Sequence, residues 1–233
     1  MIYLFWDIDG TLLLTARAGV IALEEAAESV LGERVDLSTL PTAGLTDFEI
    51  VRDVLAARGV DDPAAIGAYL AEYTRMLPHR LGLREGRVLP NVRENLAALD
   101  ARDDVVNMLL TGNVAAGAEA KLRHYGLWKF FADTSGAFSV EGSDRPAIAR
   151  RARELAAEHG GEIPPGERMV VIGDTPHDVS CGKAIGARTI AVATGPGYGV
   201  GELEACAPDA VLAELPSPDA LGELLGLDGR GGA

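Results

Sequence analysis

The chain has 233 residues, 48% of them hydrophobic and 24% charged, with a formal net charge of −14. That length suits one α/β domain, or one domain carrying a smaller inserted one, around a core of useful size. The acidic balance, without a basic patch, argues against nucleic acid or an anionic membrane as partner, and a small anionic substrate then needs a local cation. Cys181 and Cys206 are too few for a disulfide framework and stand in no metal-ligand spacing. They are expected to be small core residues in a reducing cytoplasmic setting. The first apolar run is too short for a secretory signal, and no segment is long enough to cross a bilayer.

The first predicted strand is Ile2 to Trp6, and it ends in Asp7, Asp9, Gly10 and Thr11. Two like charges so close are costly unless a cation or a reaction needs them. From Thr15 to Arg84 no strand is predicted. Three helical patterns fill this stretch: 19–32; 46–59, opened by a Thr46–Glu49 capping box and stopped at Gly59; and 64–81, interrupted near Pro78. A stretch this long is no loop, and it is expected to form a small helical cap over residues 15–84, above a core of 1–14 and 85–233.

Helix and strand then alternate. A helix over 92–101 is expected to be capped by Asn91 with Glu94, and the apolar run from Val105 leads into Thr111, Gly112 and Asn113. A helix follows over 115–125, then a weak strand near 131–134, then a helix over 146–159 with Asp144 as N-cap. The run from Met169 ends in Asp174 with Asp178 beyond it, and further strands are expected at 188–195 and 210–212, with a disordered tail at 229–233. Short apolar runs alternating with helices indicate a parallel sheet wound with crossovers.

Ligands of such sheets bind at the carboxyl ends of the strands. Those ends supply Asp7, Asp9, Thr111, Gly112, Asn113, Asp174 and Asp178. Carboxylates at this density suit a hard oxygen-seeking cation, Mg²⁺ best of all. Thr111 and the amides after it suit phosphate oxygens, and a carboxylate facing a bound phosphate is a route to a phosphoaspartyl intermediate.

The residues Asp7-Ile8-Asp9-Gly10-Thr11, LLTGN with Thr111, and Gly173-Asp174 followed by Asp178 resemble three motifs of the haloacid dehalogenase superfamily. The likeness is to its phosphatase branch, related to phosphoglycolate phosphatase and β-phosphoglucomutase. TAGLTDFEIV and CGKAIGARTIAVATG resemble the family too. The resemblance implies a Rossmann-like parallel sheet core with an inserted small helical cap. It implies that Asp7 attacks phosphorus and that Asp9 acts as general acid and then base. It implies that Asp7, the Asp9 backbone carbonyl and Asp174 hold Mg²⁺, with Asp178 behind them, and that Thr111, Gly112 and Asn113 bind the phosphoryl group. Where the family usually has lysine, this sequence has Arg145, which is expected to anchor phosphate. Lys121 reads as a surface residue on the helix after Thr111, and Lys183 lies on the helix after Asp178. Dehalogenases lack the second carboxylate, and phosphonatases depend on a cap lysine that is missing here, so neither reading is favoured.

Plainer readings stand beside these. Asp7 and Asp9 could close a strand as turn residues, Thr175 and Asp178 could open a helix, and Thr111 could end a strand. His177 reads as solvated, or as standing behind the acids, rather than catalytic, and Trp6 and Trp128 as packing residues. Substrate choice is expected in the insert, at Arg17 and in the loop with Thr42, Gly44 and Thr46; Arg17 either meets an anionic group or is a solvated helix-start charge. The expected function is a Mg²⁺-dependent phosphomonoester hydrolase of a small metabolite, a phosphoglycolate-like ester, sugar phosphate or nucleotide, working as monomer or homodimer. The alternatives are a phosphosugar mutase and a non-catalytic module phosphorylated on aspartate.

Overall fold

The computed structural model of the chain describes residues 1–37, 44–131, 136–140 and 143–227. Six parallel strands form the main sheet: β1 (Ile2–Trp6), β4 (Val105–Leu110), β5 (Gly136–Ala137), β6 (Met169–Gly173), β7 (Arg188–Val192) and β8 (Ala210–Leu212). Their order across the sheet is β5-β4-β1-β6-β7-β8. The first strand is therefore central, flanked by β4 and β6, and the carboxyl ends of these three strands lie side by side. All six residues of β4 and all five of β6 are buried, because helices cover both faces. Alternate residues of β1 divide between two hydrophobic clusters. Leu4 and Trp6 join Leu96, Leu109 and Ile172 on one face. Tyr3 and Phe5 join Met108, Val171 and Ile148 on the other. Asn107, a polar residue inside β4, is satisfied by the Trp6 indole N–H at 3.0 Å.

The helices on the sheet are α4 (Val92–Asp100), α5 (Ala115–His124), α6 (Arg145–Gly160), α7 (Pro176–Ala184), α8 (Val200–Glu204) and α9 (Pro218–Leu225). Between β1 and β4 come α1 (Ala18–Leu31), α2 (Asp47–Ala56) and α3 (Pro63–Gly82), which share a separate apolar cluster built on Ala22, Leu23, Val51, Leu55, Tyr69 and Leu77. The chain leaves for these helices and returns from them through a short antiparallel ribbon, β2 (Leu13–Leu14) with β3 (Arg87–Val88), in which Leu13 pairs with Val88. The described residues between 15 and 84 contain no strand.

Several local expectations hold. Thr46 and Glu49 form the capping box of α2, and Asp144 accepts the Ala147 N–H at 2.7 Å at the start of α6. Others need correction. Helix α3 runs unbroken through Pro78; that residue is exposed, so the carbonyl it deprives of a partner can turn to water. Asn91 does not cap α4: it is left-handed (φ 59°), and its amide instead donates to the Leu215 carbonyl at 2.7 Å. The strand expected near 131–134 is β5, at Gly136–Ala137; Phe131 closes a 3-10 turn, and 132–135 lie outside the described residues. Cys181 is buried as expected, whereas Cys206 is half-buried. The tail at 229–233 also lies outside the described residues. Among those described, no helix is long and apolar enough to cross a membrane.

Candidate active site

Beyond β1 the chain makes a tight turn. The Ile8 carbonyl accepts the N–H groups of Thr11, Leu12 and Leu13 at 3.3, 2.9 and 3.1 Å, and buried Ile8, Leu12 and Leu13 pin the turn to the core. Gly10 sits in this turn at φ +90°, and a β-carbon there would stand 2.2 Å from Asp174 Oδ2. Only glycine meets both demands. The turn leaves Asp7 buried, its N–H bound to the Ile172 carbonyl of β6 at 3.0 Å.

Asp7, Asp174 and Asp178 each offer a carboxylate oxygen, and these lie within 4.8 Å of one another. Burial, then Asp178 and Asp9, push the Asp7 carboxyl up to about 7, against the pull of Arg145 and of a Thr111 hydrogen bond. Burial, then Asp7 and Asp178, push Asp174 up to about 9. The Thr11 hydroxyl donates to Asp174 Oδ1 at 3.1 Å. Asp178 is the most committed of the three: Thr175 gives it a backbone N–H at 3.0 Å and a hydroxyl at 2.7 Å, and Arg145 Nη1 reaches it at 3.3 Å. Three buried carboxyl groups with oxygen-only donors, two of them raised by burial and by their neighbours' charge, fit a hard divalent cation. The Asp9 carboxylate is not part of this group.

Thr111 and Asn113 leave the end of β4, next to β1. The Thr111 N–H binds the Ala137 carbonyl at 3.1 Å, and its hydroxyl accepts the Asn113 backbone and side-chain N–H groups at 3.3 and 2.8 Å. A β-carbon on Gly112 would lie 3.0 Å from Arg145 Nη2. Arg145, the first residue of α6, is buried against Asp178 and also donates from Nε to the Gly44 carbonyl at 2.9 Å. Its guanidinium thus joins Asp178 to Gly44, which lies just before α2.

Lys121 is not a surface residue. It is buried, with Nζ 2.5 Å from Asp9 Oδ2 and 2.5 Å from Asn113 Oδ1. Its helix turns a face of Gly117, Ala118 and Leu122 inward, and Lys121 lies on that face. That stripe is the signal in the sequence that could have located it. Two residues of the inserted helices were also missed. Asp47, at the start of α2, donates its N–H to the Gly112 carbonyl and accepts the Val114 N–H, both at 2.8 Å. Burial is the chief cause that raises its carboxyl to about 6. Tyr73 of α3 is buried, with its hydroxyl beside Lys121.

These residues bound a cavity of about 430 Å³. Its lining combines the polar Asp7, Asp9, Asn113, Lys121, Arg145 and Asp174 with the apolar Leu13, Val20, Leu23, Leu45 and Ile50. Of the residues expected to choose substrate, Arg17 and Gly44 line it. Arg17 has a half-exposed side chain 3.9 Å from Glu24. Thr46 is buried as the α2 cap and is not among the lining residues; Thr42 lies outside the described residues. His177, half-buried, faces Gly44.

A family profile described as haloacid dehalogenase-like hydrolase matches residues 4–183. Tyrosine-protein kinase PtkA of Mycobacterium tuberculosis is 29% identical over 227 residues, which cover 95% of this chain and 72% of that protein. CbbY from Rhodobacter sphaeroides, crystallised with phosphate, matches with a TM-score of 0.73 at 23% identity, covering 98% of this chain and 100% of that one. A CbbY mutant crystallised with xylulose-(1,5)bisphosphate matches with a TM-score of 0.74 at 22% identity, over 98% and 100%. A predicted phosphoglycolate phosphatase from Haemophilus somnus matches with a TM-score of 0.65 at 16% identity, over 95% and 97%. At these identities the solved structures speak for a shared fold. The profile match runs from β1 into α7, and the chain belongs to the haloacid dehalogenase-like hydrolase family.

Proposed function

We propose that the chain is a Mg²⁺-dependent hydrolase of a small phosphate monoester, acting through a phosphoryl group carried on Asp7. The observation that carries this reading is the convergence of buried Asp7, Asp174 and Asp178, the first two lining the cavity, with Arg145 beside Asp178. Asp7, the Asp9 backbone carbonyl and Asp174 would hold Mg²⁺, with Asp178 orienting Arg145 and the α7 start behind them. The ion, when bound, offsets the charge that keeps an anionic ester from an anionic nucleophile.

The remaining chemistry belongs to this chain. Thr111, the N–H groups of Gly112 and Asn113, and Arg145 receive the phosphoryl oxygens. An Asp7 oxygen forms a bond to phosphorus as the ester P–O bond breaks, and Asp9 gives its proton to the departing alcohol oxygen. Asp9, now a carboxylate, takes a proton from water as that water attacks the phosphorus and releases Asp7 and inorganic phosphate. The segment 15–84 acts as a cap over the core of 1–14 and 85–233; Asp47 on Gly112 and Val114, and Gly44 on Arg145, hold it over the site. A cavity of about 430 Å³ suits a small metabolite: a phosphoglycolate-like ester, a sugar phosphate or a nucleotide.

The experiment is release of inorganic phosphate from 4-nitrophenyl phosphate, with and without Mg²⁺, by wild type and Asp7→Asn. Release that needs both Mg²⁺ and Asp7 supports the reading, and turnover by Asp7→Asn near the wild-type rate ends it. The likeness to PtkA favours one second reading, transfer of the phosphoryl group to a tyrosine hydroxyl. Label appearing on protein tyrosine, with no free phosphate, would select it. Product analysis with a hexose 1-phosphate separates hydrolysis from mutase action.

A further inference from the structure

Of the three lysines, only Lys121 is buried. It is far too deep to be a solvated helix charge, and the proposed chemistry gives it no task. We propose that Lys121 is a positioning residue for Asp9: its ammonium and the Asn113 amide fix one oxygen of that carboxylate, so that the other is presented to the leaving group. The inference rests on the reading of Asp9 as acid and base.

The geometry is specific. Among the described residues, Asp9 accepts two side-chain hydrogen bonds, from Lys121 Nζ at 2.5 Å and Asn113 Nδ2 at 2.9 Å. Both land on Oδ2, leaving Oδ1 of the same carboxyl for the proton exchanged with substrate or water. The two donors are tied to each other, since Lys121 Nζ also donates to Asn113 Oδ1 at 2.5 Å. The Asp9 side chain is 42% exposed, against 5% for Lys121, so packing alone does not select its rotamer. A short carboxylate at a cavity wall is therefore oriented from behind by a buried cation. That cation is sealed in from the side of the inserted helices: the Tyr73 hydroxyl lies beside it, and the Asp47 carboxylate acts on it electrostatically. Asp47, which ties α2 to Gly112 and Val114, thus also acts on the residue that aims Asp9.

The test uses leaving groups. A 4-nitrophenolate departs without a proton, whereas an alkoxide needs one. With saturating Mg²⁺, kcat and KM are measured for 4-nitrophenyl phosphate and for an alkyl phosphate, using wild type, Lys121→Met, Lys121→Arg and Asp9→Asn, with thermal melts to verify folding. Lys121→Met is expected to lose ~100-fold in kcat/KM on the alkyl ester, carried by kcat, and under ~10-fold on the aryl ester, within the range of one proton transfer. Lys121→Arg is expected to recover part of the alkyl loss. Equal losses of kcat/KM on both esters, or a change confined to KM, would overturn the proposal. If Lys121→Met does not fold, the same comparison with Lys121→Arg decides: a larger alkyl than aryl loss supports it, and equal losses refute it. An Asp9→Asn variant without leaving-group preference would instead remove the acid–base reading on which the inference stands.

Discussion

Replacing Asp174 by asparagine is expected to stabilise the metal-free protein while destroying its activity. In the metal-free fold Asp7 is raised to about 7 and Asp174 to about 9, from an ordinary value of 3.8, by burial and mutual repulsion. Each unit between the unfolded and folded values costs ~1.4 kcal/mol, so one carboxyl held to neutrality in this way costs the metal-free fold ~4 kcal/mol. The sign is that of an acid whose folded pKa is raised. The folded state binds more protons than the unfolded chain, so stability falls as pH rises above 3.8 and levels off only past the folded values. Asparagine removes the ionisable group and its linkage to pH, keeps an acceptor for the Thr11 hydroxyl and relieves Asp7. A gain of about 2–4 kcal/mol at pH 8, hence ~4–16 °C in Tm, is the expected size. The assay is thermal unfolding in EDTA at pH 5, 7 and 8.5 for wild type and Asp174→Asn, with the two curves diverging as pH rises. A variant less stable than wild type at pH 8, or two parallel pH dependences, would refute the electrostatic reasoning.

The other predictions follow from the same contacts. Mg²⁺ at a hundred times its pH 8 dissociation constant is expected to stabilise wild type by ~2.7 kcal/mol at pH 8, and the same Mg²⁺ concentration by less at pH 5, because protons compete for the carboxylates; calorimetric melts check it. Arg145→Lys keeps the charge but loses the fork that joins Asp178 to the Gly44 carbonyl. Loss of one such hydrogen bond is worth ~1–1.5 kcal/mol, or about tenfold in kcat/KM, and unchanged steady-state kinetics would show that the second arm is idle. Gly10→Ala places a β-carbon 2.2 Å from Asp174 Oδ2 at a left-handed position, and it is expected to abolish the Mg²⁺-dependent rise in Tm. It is also expected to cost ~1–3 kcal/mol in the metal-free melt.

The strands that carry the site were legible because a strand buried on both faces leaves a short apolar run, and three such runs ended in Asp7, Thr111 and Asp174. The ribbon of β2 and β3 was not, since two-residue strands leave no period to read. Thr46 was visible as a cap because its partner Glu49 stands three residues away. Lys121 was misread for the opposite reason: its carboxylate partner is 112 positions distant, and a lone lysine on a helix defaults to solvent. Asp47 and Tyr73 likewise gain their meaning only from tertiary contact with the ends of the sheet. Arg145 was marked by its likeness to a motif, but its hydrogen bond to Gly44 could not be read, because the two residues stand 101 positions apart.

The claim on which the account depends is that Asp7 takes the phosphoryl group. Rapid acid quench of Asp9→Asn mixed with a labelled aryl phosphate in Mg²⁺, followed by peptide mass spectrometry, tests it directly. The account predicts one added phosphoryl group on the peptide that contains Asp7, at that residue, and none in Asp7→Asn. Label on another residue, or turnover by Asp7→Asn with no protein-bound phosphoryl group, would contradict it.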